Sequence, residues 1–192
     1  GLSAGFYLNA TQKPYSKNYH MENYLTHDLQ KIIFENFNAS KIAQGIFGHS
    51  MGGHGALTLG LKHPDLYKSI SAFAPICAPM SSSWGQKAFK NYLGDDKKAW
   101  AEYDASHLIA HFEKAIHKPL ILVDQGLGDD FLDKELHPFL LEEGASQSGY
   151  PLNLRRHDDY DHGYYFISTF MEDHLRHHAG ILFPKFYGED DG

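Results

Sequence analysis

A five-residue stretch, Gly48-His49-Ser50-Met51-Gly52, constrains the fold of this chain more than any other feature. It matches Gly-x-Ser-x-Gly, the sharp turn that exposes a serine between a strand and a helix. Residues 41–47 are short and apolar enough for a buried strand, and residues 53–62 predict a helix that ends at His63-Pro64. Because both flanks have the required structure, we interpret Ser50 as a nucleophile rather than as part of a glycine-rich turn without chemistry. The turn is expected to be strained, and a Cβ atom on either outer glycine is expected to clash.

The rest of the sequence alternates strands with helices. We expect strands at 67–73, 119–124 and 152–156, long helices at 22–37, 131–143 and 165–178, and short helices near 85–92 and 97–102. The segment 119–124 is apolar on both faces, as strands are in parallel sheets that are covered on both sides. The pattern predicts an α/β fold with about four parallel strands, in a single domain of residues 1–192 with a solvated tail at 188–192.

Composition narrows the function classes. The chain has 192 residues and a formal net charge of −7, so electrostatics do not favour a nucleic-acid partner. No apolar run reaches membrane-spanning length, and we expect no membrane partner. A single cysteine, Cys77, excludes an internal disulfide and fits a reducing, cytoplasmic compartment. Its apolar surroundings favour a small buried residue over a nucleophile.

A serine nucleophile needs a histidine base, and that histidine needs a carboxylate to orient it. The chain has 14 histidines. His49 is next to Ser50, but the sharp turn is expected to direct its side chain away, and His54 is expected to pack beside the turn. His162 follows the last predicted strand and precedes the last helix, which places it at the carboxyl edge of the sheet where sites form. We therefore predict that His162 is the base.

Two further histidines, His174 and His178, have the i, i+4 spacing of a zinc pair. The glutamate of His-Glu-x-x-His and an obvious third ligand are both missing from this stretch. We interpret the pair as part of a solvated polar helix face and predict no metal site.

The carboxylate is expected in the loop after the strand 119–124. Asp124, Asp129 and Asp130 all qualify by position. Asp124 ends the strand itself, whereas Asp129 and Asp130 come just before the next helix, where either one suits an N-cap. Position alone does not decide whether Asp129 or Asp130 is the catalytic carboxylate.

Longer motifs resemble one family over almost the whole chain. They are Gly5-Phe6-Tyr7, the stretch 46–57 around Ser50, Ser71-Ala72-Phe73-Ala74-Pro75-Ile76-Cys77, Trp84-Gly85, Asp124-Gln125-Gly126 with Asp129 and Phe131-Leu132, and Tyr160-Asp161-His162 with Tyr164-Tyr165-Phe166. On these residues the chain resembles the S-formylglutathione hydrolase (esterase D) family of α/β-hydrolases. The family pattern Asp-Gln-Gly-x-x-Asp-x-Phe-Leu falls without gaps on 124–132. The resemblance therefore implies Asp129 as the catalytic aspartate, beside Ser50 and His162.

The resemblance also implies an activity. Members are cytosolic thioesterases that hydrolyse S-formylglutathione to formate and glutathione, accept small activated esters, need no cofactor and are commonly homodimers. The alternative is a general carboxylesterase or acyltransferase of the same fold. Trp84 is a candidate for the wall of the acyl pocket, although ordinary packing explains it equally well.

Members of this family also extend further towards the N-terminus. They carry roughly a hundred additional residues, including the strand-to-helix loop that supplies the second oxyanion-hole N–H, the first being that of Met51. We therefore expect this chain to be the C-terminal portion of the fold, without its N-terminal strands. A separate N-terminal fragment of the same protein is then an expected partner.

Overall fold

The computed structural model describes residues 5–112 and 118–184, so the tail expected at 188–192 lies outside the described residues. In chain order the elements are α1 (Met21–Asn23), a π-helix (Tyr24–Asp28), α2 (Leu29–Asn36), β1 (Gly45–His49), α3 (Met51–Lys62), β2 (Ser69–Phe73), α4 (Ser83–Leu93), α5 (Lys97–Ala101), α6 (Ala105–Ala110), β3 (Ile121–Gly126), a second π-helix (Leu132–Leu136), α7 (Pro138–Ser148), β4 (Leu152–His157) and α8 (Tyr164–Leu182). Short 3-10 turns precede α1 and α4 (Tyr15–Lys17 and Pro79–Ser81). Within the two described ranges, no helix combines the length and apolarity needed to cross a bilayer.

The four strands form one parallel sheet in the order β1-β2-β3-β4. This confirms the predicted α/β architecture with about four parallel strands. All four carboxyl ends lie along one edge, so the loops that follow the strands meet there. Ser50 follows β1, Asp129 follows β3 and His162 follows β4.

Both faces of the sheet are covered. Ile70 of β2 is fully buried among apolar side chains of α3, α6, α7 and β3. On the opposite face, the ring of Phe73 packs edge-on against Phe166 of α8, with ring centroids 6.0 Å apart. Because alternate residues of a strand face opposite layers, burial on both sides leaves every residue of β2 buried.

Three details differ from the expectations. The strand before Ser50 is shorter than expected and is not buried: β1 begins at Gly45, so Ile42 lies outside it and is 81% exposed. Phe47 within it is 46% exposed, because β1 pairs only with β2 among the described residues. The helix expected at 131–143 is broken, since His137 adopts a φ of 49° immediately before Pro138. No helix was predicted between the short helix near 97–102 and the strand at 119–124, but the structure has α6 there.

Candidate active site

Ser50 occupies a strained turn between β1 and α3. Its φ of 57° and ψ of −118° confirm the strain expected of this turn, because non-glycine residues rarely adopt a positive φ. A Cβ atom at Gly48 would lie 2.3 Å from the carbonyl oxygen of Gly52, so only glycine fits there. The same expectation is wrong for Gly52, where the nearest described atom would be the Tyr7 hydroxyl at 3.9 Å.

Met51 is the first residue of α3. A helix cannot satisfy its first N–H groups internally, so the Met51 N–H is one of those left for another acceptor. The Ser50 N–H is already used, because it donates to the carbonyl of Phe73 at 2.9 Å. The positive end of the helix macrodipole therefore lies directly beside the serine.

His162 and Asp129 form the second part of the site. The Nδ1–H of His162 donates to Oδ2 of Asp129 at 2.5 Å, and the two side chains come from loops that follow neighbouring strands. With Nδ1 held in this way, Nε2 is the ring nitrogen that can accept a proton. The carboxylate is buried, and the imidazole is only partly exposed. The pair has the geometry of a base and its orienting acid.

Two more hydrogen bonds hold Asp129. Its Oδ1 accepts the Phe131 N–H at 2.9 Å, and its Oδ2 accepts from the side-chain amide of Gln125 at 3.3 Å. Burial pushes the pKa of Asp129 up, but the hydrogen bonds from His162, Phe131 and Gln125 together hold it below its ordinary value. The carboxylate therefore stays ionised, as an acid that orients a histidine must. The supporting roles of Gln125 and Phe131 were not evident from the sequence.

The other two aspartates lie elsewhere. Asp130 is exposed to solvent. Asp124 is fully buried and accepts two hydrogen bonds of 2.6 Å from the guanidinium of Arg155. Of the three candidates left open by position, the structure thus brings Asp129 to His162.

His49 is closer to the site than expected. Its ring lies against that of His162, with centroids 4.4 Å apart. Burial, together with the neighbouring His162, lowers the pKa of His49 to about 4, so it is neutral at physiological pH. Since His49 directly precedes Ser50, this contact links the serine turn to the loop that carries His162.

An aromatic wall extends from His162 to the surface. The Phe131 ring meets the His162 ring edge-on at 5.0 Å between centroids. The Trp84 ring then tilts against Phe131 at 5.3 Å, and Trp84 remains 49% exposed. The ring of Phe131 therefore separates Trp84 from His162, and about half of the surface of Trp84 is exposed.

The loop that carries His162 lies tightly against the end of β3. A Cβ atom on Gly126 would come within 2.2 Å of the carbonyl oxygen of Tyr160. The same carbonyl accepts the N–H of Gly128 at 2.9 Å. A glycine at position 126 is therefore what lets the two loops approach each other.

Two further residues considered from the sequence are fully buried. His54 is fully buried beside the turn, as predicted, and its Nε2 hydrogen-bonds the carbonyl of Tyr103 at 2.6 Å. Burial lowers the pKa of His54 to about 4. Cys77 is also fully buried, as predicted, and burial raises the pKa of its thiol well above the usual range.

His174 and His178 do not form a solvated face, and that expectation is wrong. They are 0% and 8% exposed, and each hydrogen-bonds the hydroxyl of Ser71 at 2.8 Å. His174 also hydrogen-bonds Asp124 at 3.0 Å, and His178 hydrogen-bonds Ser69 at 2.6 Å. Within residues 5–112 and 118–184, no group of His, Cys, Asp and Glu side chains is arranged to hold a metal ion. The histidines instead join α8 to the buried face of the sheet.

A cavity of about 540 Å³ runs along the open side of β1. Gly48, His49, Gly52 and Tyr7 line it, together with apolar side chains of α2 and α3. Its lining includes neither Trp84 nor His162. We therefore place the candidate active site at the carboxyl edge of the sheet because of the residues found there, and not because of this cavity.

A parallel sheet with helices on both faces, a strained serine after one strand and a His–Asp pair after two others define the α/β-hydrolase class. The chain belongs to the Esterase family, described as "Putative esterase", whose model matches residues 1–177.

Individual proteins resemble the chain closely. It is 52% identical over 183 residues to S-formylglutathione hydrolase of Arabidopsis thaliana, covering 95% of this chain and 63% of that protein. A solved structure of an S-formylglutathione hydrolase from Agrobacterium tumefaciens superposes with a TM-score of 0.88 at 51% identity, covering 93% of this chain and 64% of the other. A ferulic acid esterase structure shares the fold alone, with a TM-score of 0.69 at 18% identity, covering 94% of this chain and 66% of the other. The chain thus spans less than two thirds of the length of these relatives.

Proposed function

We propose that the protein is a serine thioesterase that hydrolyses S-formylglutathione to formate and glutathione. The hydrogen bond between His162 and Asp129, at the same edge of the sheet as the strained Ser50, is the observation that supports serine hydrolase chemistry. The substrate is supported by two relatives named S-formylglutathione hydrolase, each more than half identical to this chain. Hydrolysis of this thioester releases the carbon as formate, which is the oxidised form of formaldehyde, and frees glutathione for reuse, so the proposed role is in formaldehyde detoxification.

The reaction proceeds in two halves. Ser50 Oγ attacks the formyl carbonyl carbon while His162 Nε2 takes the hydroxyl proton, and the Met51 N–H is one donor to the oxyanion that forms. The carbon–sulfur bond then breaks, the glutathione thiol leaves with the proton, and a formyl ester remains on Ser50. Water, deprotonated by His162, attacks this ester; the bond between the carbonyl carbon and Ser50 Oγ then breaks, His162 returns the proton to Oγ, and formate leaves. Asp129 keeps Nδ1 protonated throughout and stabilises the imidazolium.

Trp84 is proposed to form one wall of the acyl pocket. A formyl group is the smallest acyl group, and the Trp84 indole, which reaches His162 through the ring of Phe131, is proposed to limit the room beside the reacting carbon. A wider pocket would instead suit a general carboxylesterase or acyltransferase. Comparing kcat/KM for S-formylglutathione with kcat/KM for acetyl and longer-chain esters separates these two functions.

The central test is Ser50→Ala in the full-length protein, with Ser168→Ala on the exposed surface of α8 as the matched control. Ser50→Ala is expected to lower kcat for S-formylglutathione by about 10³-fold or more at unchanged thermal stability. Ser168→Ala is expected to keep the wild-type rate. Near-normal turnover by Ser50→Ala would contradict the proposal.

We also propose a cytoplasmic homodimer. A small-molecule thioester substrate and a single buried cysteine are compatible with a reducing compartment. Sedimentation equilibrium of the full-length protein at micromolar concentration tests the assembly, and a monomer mass across the concentration range contradicts it. Cell fractionation tests the compartment.

A further inference from the structure

Glu135 is a buried carboxylate that the proposed mechanism does not use. It is 6% exposed and lies in the short π-helix that follows the Asp129 loop. Its Oε1 accepts the hydroxyl of Ser83 at 2.5 Å, and its Oε2 accepts the backbone N–H of Trp84 at 3.0 Å. Both donors belong to the first turn of α4. A buried acid at this place thus binds the residue that carries the indole.

The start of α4 is fixed from two further directions. Ser82 caps the helix, and its hydroxyl accepts the Gly85 N–H at 3.0 Å. A Cβ atom on Gly85 would lie 2.1 Å from the carbonyl oxygen of Pro79, so the first turn rests directly on the preceding 3-10 turn. The negative charge of Glu135 also lies at the positive end of the helix macrodipole. The backbone of Trp84 therefore has little freedom to move.

The turn that carries Glu135 begins at Phe131, which is one of the two residues that support Asp129. The Glu135 N–H donates to the carbonyl of Phe131 at 2.9 Å, and the Phe131 N–H donates to Asp129. The Phe131 ring lies between those of His162 and Trp84. The segment 129–135 thus contains both Asp129, which orients His162, and Glu135, which binds the backbone of Trp84.

We propose that Glu135 is a positioning residue that holds the Trp84 indole over Phe131 and so sets the size of acyl group that the site accepts. This inference rests on the proposed function. Removing the carboxylate leaves the Trp84 N–H and the Ser83 hydroxyl without their acceptor, so that the first turn of α4 is then held by the Ser82 cap and by the contact of Gly85 with Pro79. The indole then moves away from the reacting carbon, and longer acyl chains enter.

The test compares Glu135→Ala, Glu135→Gln and the control Glu172→Gln, which breaks an exposed ion pair on α8. The full-length variants are assayed with p-nitrophenyl acetate and p-nitrophenyl hexanoate. Glu135→Ala is expected to lower the acetate-to-hexanoate ratio of kcat/KM by about 10-fold, mainly through KM for hexanoate. Glu135→Gln keeps an acceptor oxygen and is expected to restore most of the wild-type ratio, and Glu172→Gln leaves it unchanged. An equal loss for both esters in Glu135→Ala overturns the proposal, because it is the mark of a structural role alone.

A double-mutant cycle with Trp84→Ala adds a second criterion. If Glu135 acts through the indole, Glu135→Ala changes the acyl ratio by less than about 2-fold once Trp84 is already alanine. An undiminished effect in that background overturns the proposal. If Glu135→Ala does not fold, Ser83→Ala provides the test, because it removes one of the two hydrogen bonds to Glu135. It is expected to lower the acetate-to-hexanoate ratio of kcat/KM as well. An unchanged ratio in Ser83→Ala contradicts the positioning role of Glu135. Full activity of Ser50→Ala would refute the proposed function, whereas an inactive Ser50→Ala with an unchanged acyl ratio in the Glu135 variants refutes this inference alone.

Discussion

Replacing Gly126 with alanine is expected to displace His162 while leaving the His162 side chain itself unchanged. The added methyl group would lie 2.2 Å from the Tyr160 carbonyl oxygen and 3.0 Å from that of Asp161. Both atoms belong to the backbone of the loop that carries His162, so no side chain can rotate away to make room. The loop must retreat by about 1 Å to restore an ordinary contact.

A displacement of this size has a large kinetic effect. Misplacing a reacting group by about 1 Å costs on the order of 10²-fold in rate, which is about 2.7 kcal/mol of transition-state stabilisation. Overpacking of this kind also lowers the free energy of unfolding by about 1–3 kcal/mol. We therefore expect Gly126→Ala to reduce kcat/KM for p-nitrophenyl acetate by about 100-fold at a temperature where it remains folded.

Two glycine controls separate the causes. Gly180→Ala in α8 meets no atom within 4 Å and is expected to keep full activity. Gly149→Ala also has open space but requires a φ of 65°, so it is expected to lose about 1 kcal/mol of stability while staying active. Initial rates and thermal unfolding of the three full-length variants are compared. If Gly126→Ala stays within about 3-fold of the wild-type kcat/KM, the loop absorbs the methyl group without moving His162, and the reasoning is wrong.

Three further predictions concern charge. Burial lowers the pKa of His54 from 6.5 to about 4, so the unfolded chain binds more protons below pH 6.5, and the free energy of unfolding falls as the pH drops from about 6.5 to about 4. Urea unfolding at pH 7 and pH 5 is expected to show a loss of about 2 kcal/mol from this residue, absent in His54→Gln, and an equal loss in that variant contradicts the assignment. Asp129→Asn is expected to lower kcat by about 10³-fold or more while exposed Asp130→Asn does not, and steady-state rates that fall equally in both would argue against Asp129. Asp124→Ala removes the buried acceptor shared by Arg155 and His174, leaving Arg155 with only the exposed Asp173 as a carboxylate partner among the described residues, and is expected to lower the free energy of unfolding in urea by about 3 kcal/mol. A loss no larger than that of the exposed-pair variant Glu172→Gln would count against this.

The sequence predicted the parts of the fold that depend on local pattern. The apolar run at 119–124 and the strand-turn-helix around Ser50 carry their own signals, and both elements are present. The exposure of β1 carries no such signal, because it depends on which chain pairs with the strand and not on the residues of the strand. The break at His137 was detectable, since proline restricts the residue before it, but helical periodicity across 131–143 concealed it.

Side-chain direction limited what could be predicted about the site. Asp129 and Asp130 differ by one position, and only the backbone of the loop decides which one points to His162. His174 and His178 lie on a helix, and histidine is intermediate between buried and exposed residue types, so its identity did not reveal that His174 is buried against Ser71 and Asp124 and His178 against Ser71. Both partners come from strands that are far away in the sequence. The contact between His49 and His162 likewise depends on how two distant loops meet.

The buried cluster of Asp124, His174 and Ser71 has a consequence for active-site mapping. A template search that matches aspartate, histidine and serine by contact between residues would accept this set, although its ring nitrogens are reversed: Nε2 faces Asp124 and Nδ1 faces Ser71. All three residues are 0% exposed, so an electrophile in solution has no route to the Ser71 hydroxyl. Labelling with a fluorophosphonate followed by peptide mapping should therefore yield one adduct, on Ser50. Access, and not contact between residues, distinguishes a structural serine from a reactive one in this fold.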